Sequence, residues 1–398
     1  MPASPSTARA INDRLALRLL QEQGPLTARQ LKQLTGLSRP TVADLVERLT
    51  ESGLITVVGE WGEQRRGPNA RLYGIVADRA QLAALDVRTE GVSVLVSDLL
   101  GRVRAEGSVP IAGDIGTGPA VEQAVALVER AVKEAGADRL HTIGIGAPGL
   151  IDPVTGELRD SSGLPAWHRR LVAALQERLP EARVIVENET NLAAVAEQRE
   201  GGARDRDTFV LLWLAYGAGA AVVLDGILRR GASGGAGEIG FLPVPGTSAL
   251  PSAADCRGGF HSLVGAAAVD VLAAETGLAP ADDGSAPRAA GTVRAAVAAA
   301  GEHPAADRFL DALADRIAVG AASVVAILDP GCVVLGGEVG QAGGAALAAR
   351  VQERVRRMSP LATEVRASAL GGGAVLRGAL LTARERAQDD LFAPADRT

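Results

Sequence analysis

Apolar residues near the start of the chain recur at helical spacing. Ile11, Leu15, Leu19 and Leu20 predict a first helix, which Gly24-Pro25 ends. Thr27 is placed to cap a short second helix running to Leu34, and Thr35-Gly36-Leu37 makes a tight turn into Ser38. Ser38 is the N-cap of a third helix, with Pro40 tolerated in its first turn. Val42, Leu45, Val46 and Leu49 fall on one face of that helix, which leaves Arg39, Thr41, Asp44 and Arg48 on the other. A strand from Leu54 to Val58 follows, and a polar loop from Gly59 to Asn69 leads to a second strand from Arg71 to Val76. Helix, turn, capped helix and hairpin together predict a winged helix-turn-helix domain over residues 1–76.

Beyond Gln81 the pattern changes. Segments 82–87, 91–98 and 102–109 read as strands, 121–134 as a helix and 142–147 as a buried strand ending in Pro148-Gly149. A second pass opens near Phe209, where 209–214 and 221–224 repeat the strand–turn–strand start. Helices follow over 266–275, 291–300 and 307–327, with the Asp282-Asp283-Gly284-Ser285 loop between the first two. The Asp329-Pro330-Gly331 turn leads to a strand over 332–335, and a last helix covers 375–386, with a frayed tail after Gln388. Alternating strands and helices predict an α/β domain over 77–398, built as two similar halves facing each other across a cleft.

Charge sharpens this division. Residues 1–75 hold ten Lys/Arg against seven Asp/Glu, a net of +3, which leaves −9 for the rest of a chain whose formal charge is −6. A cationic module tethered to an anionic one suits a nucleic-acid reader joined to something else. Lys32 and Lys133 are the only lysines, so Arg supplies nearly all the positive charge. Ser38, Arg39, Thr41 and Arg48 on the third helix, with Arg65 and Arg66 in the wing loop, are the candidate DNA contacts, placed to meet base edges, phosphates or the minor groove. A three-helix bundle with a hairpin, used for dimer packing, is the alternative. No apolar run approaches the ~20 residues of a membrane span, and the start of the chain lacks a secretory pattern, so a cytoplasmic protein is expected. Cys256 and Cys332 lack metal-ligand spacing and read as free thiols.

Four glycines crowd one carboxylate in Gly234-Gly235-Ala236-Gly237-Glu238-Ile239-Gly240-Phe241. Glycine lets backbone approach a ligand closely, so the segment either presents Glu238 to a hydroxyl-rich ligand or is a surface loop. The segments Ile143-Gly144-Ile145-Gly146-Ala147-Pro148-Gly149, Val186-Glu187-Asn188-Glu189-Thr190-Asn191, Asp225-Gly226 before Gly237-Glu238-Ile239-Gly240, and Val334-Leu335-Gly336-Gly337 add the context. In order and spacing they resemble the ROK family of repressors and sugar kinases, and with the winged helix the likeness covers almost the whole chain. The resemblance implies an actin-like, sugar-kinase-like fold of two lobes, with Asn188, Glu189 and Glu238 around the ligand cleft. His261 is either a further ligand contact or a hydrogen-bonded structural residue.

The departures from the family pattern bear on activity. Where the family's kinases have Asp-x-Gly-Gly-Thr to cradle ATP phosphates, this chain has Asp86-Val87-Arg88-Thr89-Glu90. The second phosphate turn aligns with Ala215-Tyr216-Gly217, and the catalytic Asp aligns with Glu189. Phosphoryl transfer depends mainly on positioning the phosphates and metal, so neither catalysis nor ATP binding is expected. The family's zinc ligands correspond to Phe241 and to a cluster reduced to Cys256 in 255–262, which excludes a closed tetrahedral site. Phe241 and Phe260 are expected to replace the metal by apolar packing. The expectation is a transcriptional regulator, a repressor in the first instance, that binds a two-fold symmetric operator as a homodimer or dimer of dimers under control of a sugar-like effector. A sugar kinase with an accessory DNA-binding domain, or a constitutive DNA binder with a vestigial sensor, are the alternatives.

Overall fold

The computed structural model describes residues 5–61, 70–159, 165–247, 249–253, 257–281, 284 and 287–392. The N-terminal module contains α1 (Pro5–Gln23), β1 (Leu26–Thr27), α2 (Ala28–Thr35), α3 (Arg39–Glu51), β2 (Ile55–Trp61) and β3 (Ala70–Ile75), with strands in the order β1-β3-β2. Its helix starts are fixed by side chains. Thr27 and Gln30 form a reciprocal capping box at α2, Gly36 closes that helix in the left-handed conformation, and the Ser38 hydroxyl accepts from Thr41 N–H at the start of α3.

α1 differs from its sequence reading. Ala16, Leu17 and Leu20 face the core, while Ile11 and Leu15 are exposed. The apolar residues of this helix span more than one face, and contacts with α2, α3 and β3 decide which face is covered.

The remainder contains two five-stranded sheets of the same design. The first comprises β4 (Gln81–Arg88), β5 (Gly91–Asp98), β6 (Val103–Pro110), β7 (Thr142–Ala147) and β8 (Arg183–Asn188), in the order β6-β5-β4-β7-β8. α4 (Thr117–Glu134), α5 (Trp167–Arg178) and α6 (Glu189–Glu200) interleave with it. The second comprises β9 (Phe209–Leu214), β10 (Ala218–Leu224), β11 (Ile227–Arg229), β12 (Cys332–Gly336) and β13 (Glu364–Ala367), in the order β11-β10-β9-β12-β13. In each, an antiparallel meander of three strands is extended by two parallel ones, so the two halves expected from sequence are a repeat of topology. α7 (His261–Val264), α8 (Ala266–Glu275), α9 (Arg288–Ala298), α10 (Pro304–Leu328) and α11 (Gly337–Met358) belong to the second half, and α12 (Ala374–Leu391) ends the described chain. α12 runs three residues past Gln388, further than its pattern predicted.

Two features tie these parts together. One apolar cluster contains Leu17, Leu31, Leu45 and Ile55 of the N-terminal module, Leu82 and Leu95 of the first sheet, Leu192 of α6 and Val375 and Ala379 of α12. Packing is therefore continuous across the 76/77 boundary. α6 and α12 also lie close enough that a Cβ on Gly378 would stand 2.0 Å from the Leu192 carbonyl oxygen. At the far end of α6 the fully buried Glu197 carboxylate accepts hydrogen bonds from the backbone N–H groups of Gly202, Ala369 and Leu370, which satisfies a group otherwise costly to bury.

Gly378→Ala should force these two helices apart, since the obstructing atoms are backbone. The expected cost is about 1–3 kcal/mol, read as a lower midpoint in chemical denaturation. An unchanged midpoint would show that the contact relaxes freely.

Candidate ligand cleft and nucleic-acid interface

The cleft between the lobes encloses about 340 Å³ and is walled by strand ends and helix starts from both halves. Asp86, near the end of β4, is buried and accepts a 2.9 Å hydrogen bond from the Nε of Arg88. The same guanidinium also pairs with Glu338, in the first turn of α11 on the other lobe. A second ion pair crosses between the halves where Arg230, just after β11, donates to Glu187 on β8 at 2.6 Å. Glu187 is itself buried and accepts from Asn188 N–H and from the Asn191 amide, each at 3.0 Å.

Asn188, Glu189 and Glu238 all line this cavity. Their roles are not alike. The Oδ1 of Asn188 accepts from Thr190 N–H and Asn191 N–H at the start of α6, and its amide donates to the Gly149 carbonyl and to Glu189, both at 3.0 Å. Two lone pairs and two amide hydrogens are thereby engaged. Asn188 thus caps α6 with its hydrogen-bonding groups engaged within the chain, at the wall of the cavity where an effector contact was expected.

The free acceptors are carboxylates. Desolvation pushes the Glu189 carboxyl up to about 8, with Asp86, Glu238 and Glu338 adding like-charge repulsion. Glu238 is open to solvent through the cleft, yet the protein around it removes enough water to raise its carboxyl as well. Burial likewise raises Asp86 and Glu338 against the opposing pull of Arg88.

The glycines before Glu238 serve the protein backbone. Gly234 (φ +82°) and Gly237 (φ +91°) would each drive a Cβ into a carbonyl, that of Ile151 at 2.0 Å and that of Ala220 at 1.9 Å. The loop is thus wedged between a segment of the first half and β10 of the second. Close approach to a ligand was the sequence-based reason for these glycines. Close approach to two stretches of main chain is what the structure contains.

His261 stands apart from the cleft walls, its ring in edge contact with Phe241 at a centroid distance of 5.9 Å. Phe260 is fully buried, and a Cβ on Gly320 would meet its ring at 2.3 Å. Among the described residues of this region, His261 is the one side chain of a metal-binding type beside Phe241 and Phe260; Asp255 and Cys256 lie outside the described residues. In the segments where the family's kinases hold ATP phosphates, Arg88 and Glu338 join across the cleft, Glu90 lines it, and Tyr216, 58% exposed, stands on its wall. A Cβ on Gly337 would stand 2.4 Å from the Leu214 carbonyl oxygen, so this glycine permits a close backbone contact.

On the N-terminal module, Ser38 and Arg39 are exposed at the start of α3, and the Ser38 hydroxyl is 2.8 Å from that of Thr41. Arg48 is placed differently from its prediction as a DNA contact. It pairs with Asp44 on its own helix and with Asp13 of α1 at 2.6 Å, so its charge is used to brace two helices. Arg65 and Arg66 lie outside the described residues. Arg29 and Lys32 on α2, one helical turn apart, are exposed cations that the sequence reading passed over, although their spacing on the polar face was visible.

The folded chain holds the Glu189 proton up to about pH 8, whereas an unfolded Glu releases it near its ordinary value of 4.5. Between these values the folded state binds more protons, so this group makes stability fall as pH rises. Glu189→Gln should therefore lose less stability than the parent between about pH 5 and about pH 8, measured by denaturation at both. Equal losses would place Glu189 in an ordinary solvated environment.

Comparisons with known proteins agree with this architecture. Residues 87–386 match the ROK family model, and residues 9–56 match a model described as winged helix-turn-helix DNA-binding. The xylose repressor of Caldicellulosiruptor bescii is 24% identical over 236 residues, 59% of each chain. The DNA-binding transcriptional dual regulator NagC of Escherichia coli is 26% identical over 242 residues, 59% of this chain and 57% of NagC. Both alignments span under two thirds of the relative's length. Among solved structures, a ROK family transcriptional regulator, described as a homolog of the E. coli MLC protein, has a TM-score of 0.77 at 21% identity, over 97% of this chain and 98% of that one. The ROK hexokinase from Thermus thermophilus has a TM-score of 0.62 at 30% identity, over 78% of this chain and 99% of its own. With the repeated sheets, the interlobe cleft and a family match across most of its length, the chain belongs to the ROK family.

Proposed function

We propose that this protein is a DNA-binding transcriptional repressor whose operator affinity is set by a small polyhydroxylated ligand, a sugar or sugar derivative, in the interlobe cleft. The observation that carries the reading is the shared core. α6 begins at the cleft with Asn188 as its cap, and its Leu192 belongs to the same apolar cluster as the helix-turn-helix residues Leu31, Leu45 and Leu49. α12, packed along α6, reaches the module through Asp389, which pairs with Arg14 of α1. A change in lobe angle that moves α6 is thus delivered to the DNA-reading helices through packed side chains. The names of the relatives, xylose repressor and transcriptional dual regulator NagC, support the same reading.

Two copies are required in this proposal. One short recognition helix covers few base pairs, so a homodimer reading two half-sites about one helical turn apart, or a multiple of it, supplies the specificity. A ligand then changes operator affinity only as far as it binds one lobe arrangement better than the other. The kinase alternative has the Thermus hexokinase likeness in its favour; the Arg88–Glu338 pair across the cleft supports the regulator reading instead.

Arg39→Ala should weaken specific binding more than non-specific binding, since Arg39 is exposed where α3 meets base edges. Footprinting on operator and random DNA measures both, and equal losses would reduce Arg39 to a phosphate contact. Glu238→Ala should leave ligand-free operator affinity within about twofold while abolishing the ligand's effect on it. A variant that still responds like the parent would put the effector site elsewhere.

A further inference from the structure

We propose that the cleft selects a ligand carrying a protonated amine and rejects phosphorylated or otherwise anionic sugars. The inference rests on the reading of this cleft as the effector site and concerns the charge of what enters it. Asp86, Glu90, Glu189, Glu238 and Glu338 all line the cavity, and Arg88 is the one cationic side chain among the described residues around it. That guanidinium is already committed to Asp86 and Glu338. A phosphate entering here would compete with two carboxylates for a single cation and would face Glu90 and Glu238 across a space of about 340 Å³.

Among the described residues, no three His, Cys, Asp or Glu side chains approach closely enough to hold an ion. The carboxylates are distributed around the walls, an arrangement matched by a ligand that spreads its donors over several atoms. The Oε2 of Glu338 is buried and lacks a hydrogen-bond partner among the described residues, which leaves an acceptor with an unmet need for a donor. An ammonium is compact, carries three donors and has no acceptor to repel a carboxylate. The hydroxyls of the same ligand are then left to Glu189 and Glu238, the acceptors in the cleft with capacity to spare. Tyr216, whose ring is exposed on the wall, adds an aromatic surface compatible with a cation.

The test uses the full chain with glucosamine, glucose and glucose 6-phosphate, one pyranose bearing in turn a cation, no charge and an anion. Thermal stability and calorimetric titration are compared at mildly acidic pH, where the amine is protonated. Glucosamine should bind at least about tenfold more tightly than glucose, and glucose 6-phosphate should leave the melting temperature unchanged. Glu338→Gln, which releases one partner of Arg88, should narrow the gap by weakening glucosamine and admitting the phosphate. Tighter binding of glucose or glucose 6-phosphate, or indistinguishable behaviour of the three, overturns the inference. Failure of the effector reading registers differently: glucosamine would bind with the stated preference while operator affinity stayed the same.

Discussion

One guanidinium held between carboxylates of opposite lobes determines what the rest of the cleft can do. Arg88 leaves β4, meets Asp86 beside it and Glu338 across the gap, and so joins the two halves through side chains of the chain itself. In a partly buried setting such a bridge gains little net stability, because desolvation of the charges offsets their attraction. Its consequence is geometric and electrostatic. The pair places side chains across the cleft between the two halves, among a lining that holds Asp86, Glu90, Glu238 and Glu338 beside this one cation.

The route from cleft to DNA-reading surface follows from close packing more than from any polar chain. Asn188 fixes the start of α6 by using all its hydrogen-bonding capacity on the protein, and Glu197 fixes the other end. Between them Gly378 lets α12 approach within backbone distance. In the proposed mechanism a pair of helices restrained in this way would move as a unit with the lobes, and the apolar cluster around Leu192 links that unit to α2 and α3. Buried area alone would hold the module in place. The directional element is the α6 terminus at the cleft.

Much of this was legible in the sequence, and the parts that were not share a cause. The helix-turn-helix could be bounded closely because its signals are local: the Thr27–Gln30 capping box, Gly36, Ser38 and Pro40 lie within a few residues of what they control. The doubled sheet was legible from strand spacing. α6 was not, because it is covered on several sides and buries Thr190, Asn191, Ala193 and Glu197 as well as Leu192, which erases the one-sided pattern. α11 was hidden by Gly337, Gly340, Gly343 and Gly344, the last of which kinks it; a Cβ on Gly340 would crowd the Leu335 backbone at 3.0 Å. The longer-range partners of the site residues were not legible: Asp13, which pairs with Arg48, lies 35 residues away, and Gly149, which accepts from the Asn188 amide, lies 39 away.

In the function proposed for this protein, the cleft senses a small ligand and does not bind a nucleotide. The most direct test is a coupled assay of the full chain with ATP, magnesium and a panel of hexoses, run beside equilibrium binding of ATP. The account predicts no turnover above the protein-free rate and no saturable ATP binding, because Arg88, Glu338 and Glu90 occupy or oppose the phosphate positions. Robust hexose phosphorylation that disappears in Glu189→Gln would contradict it.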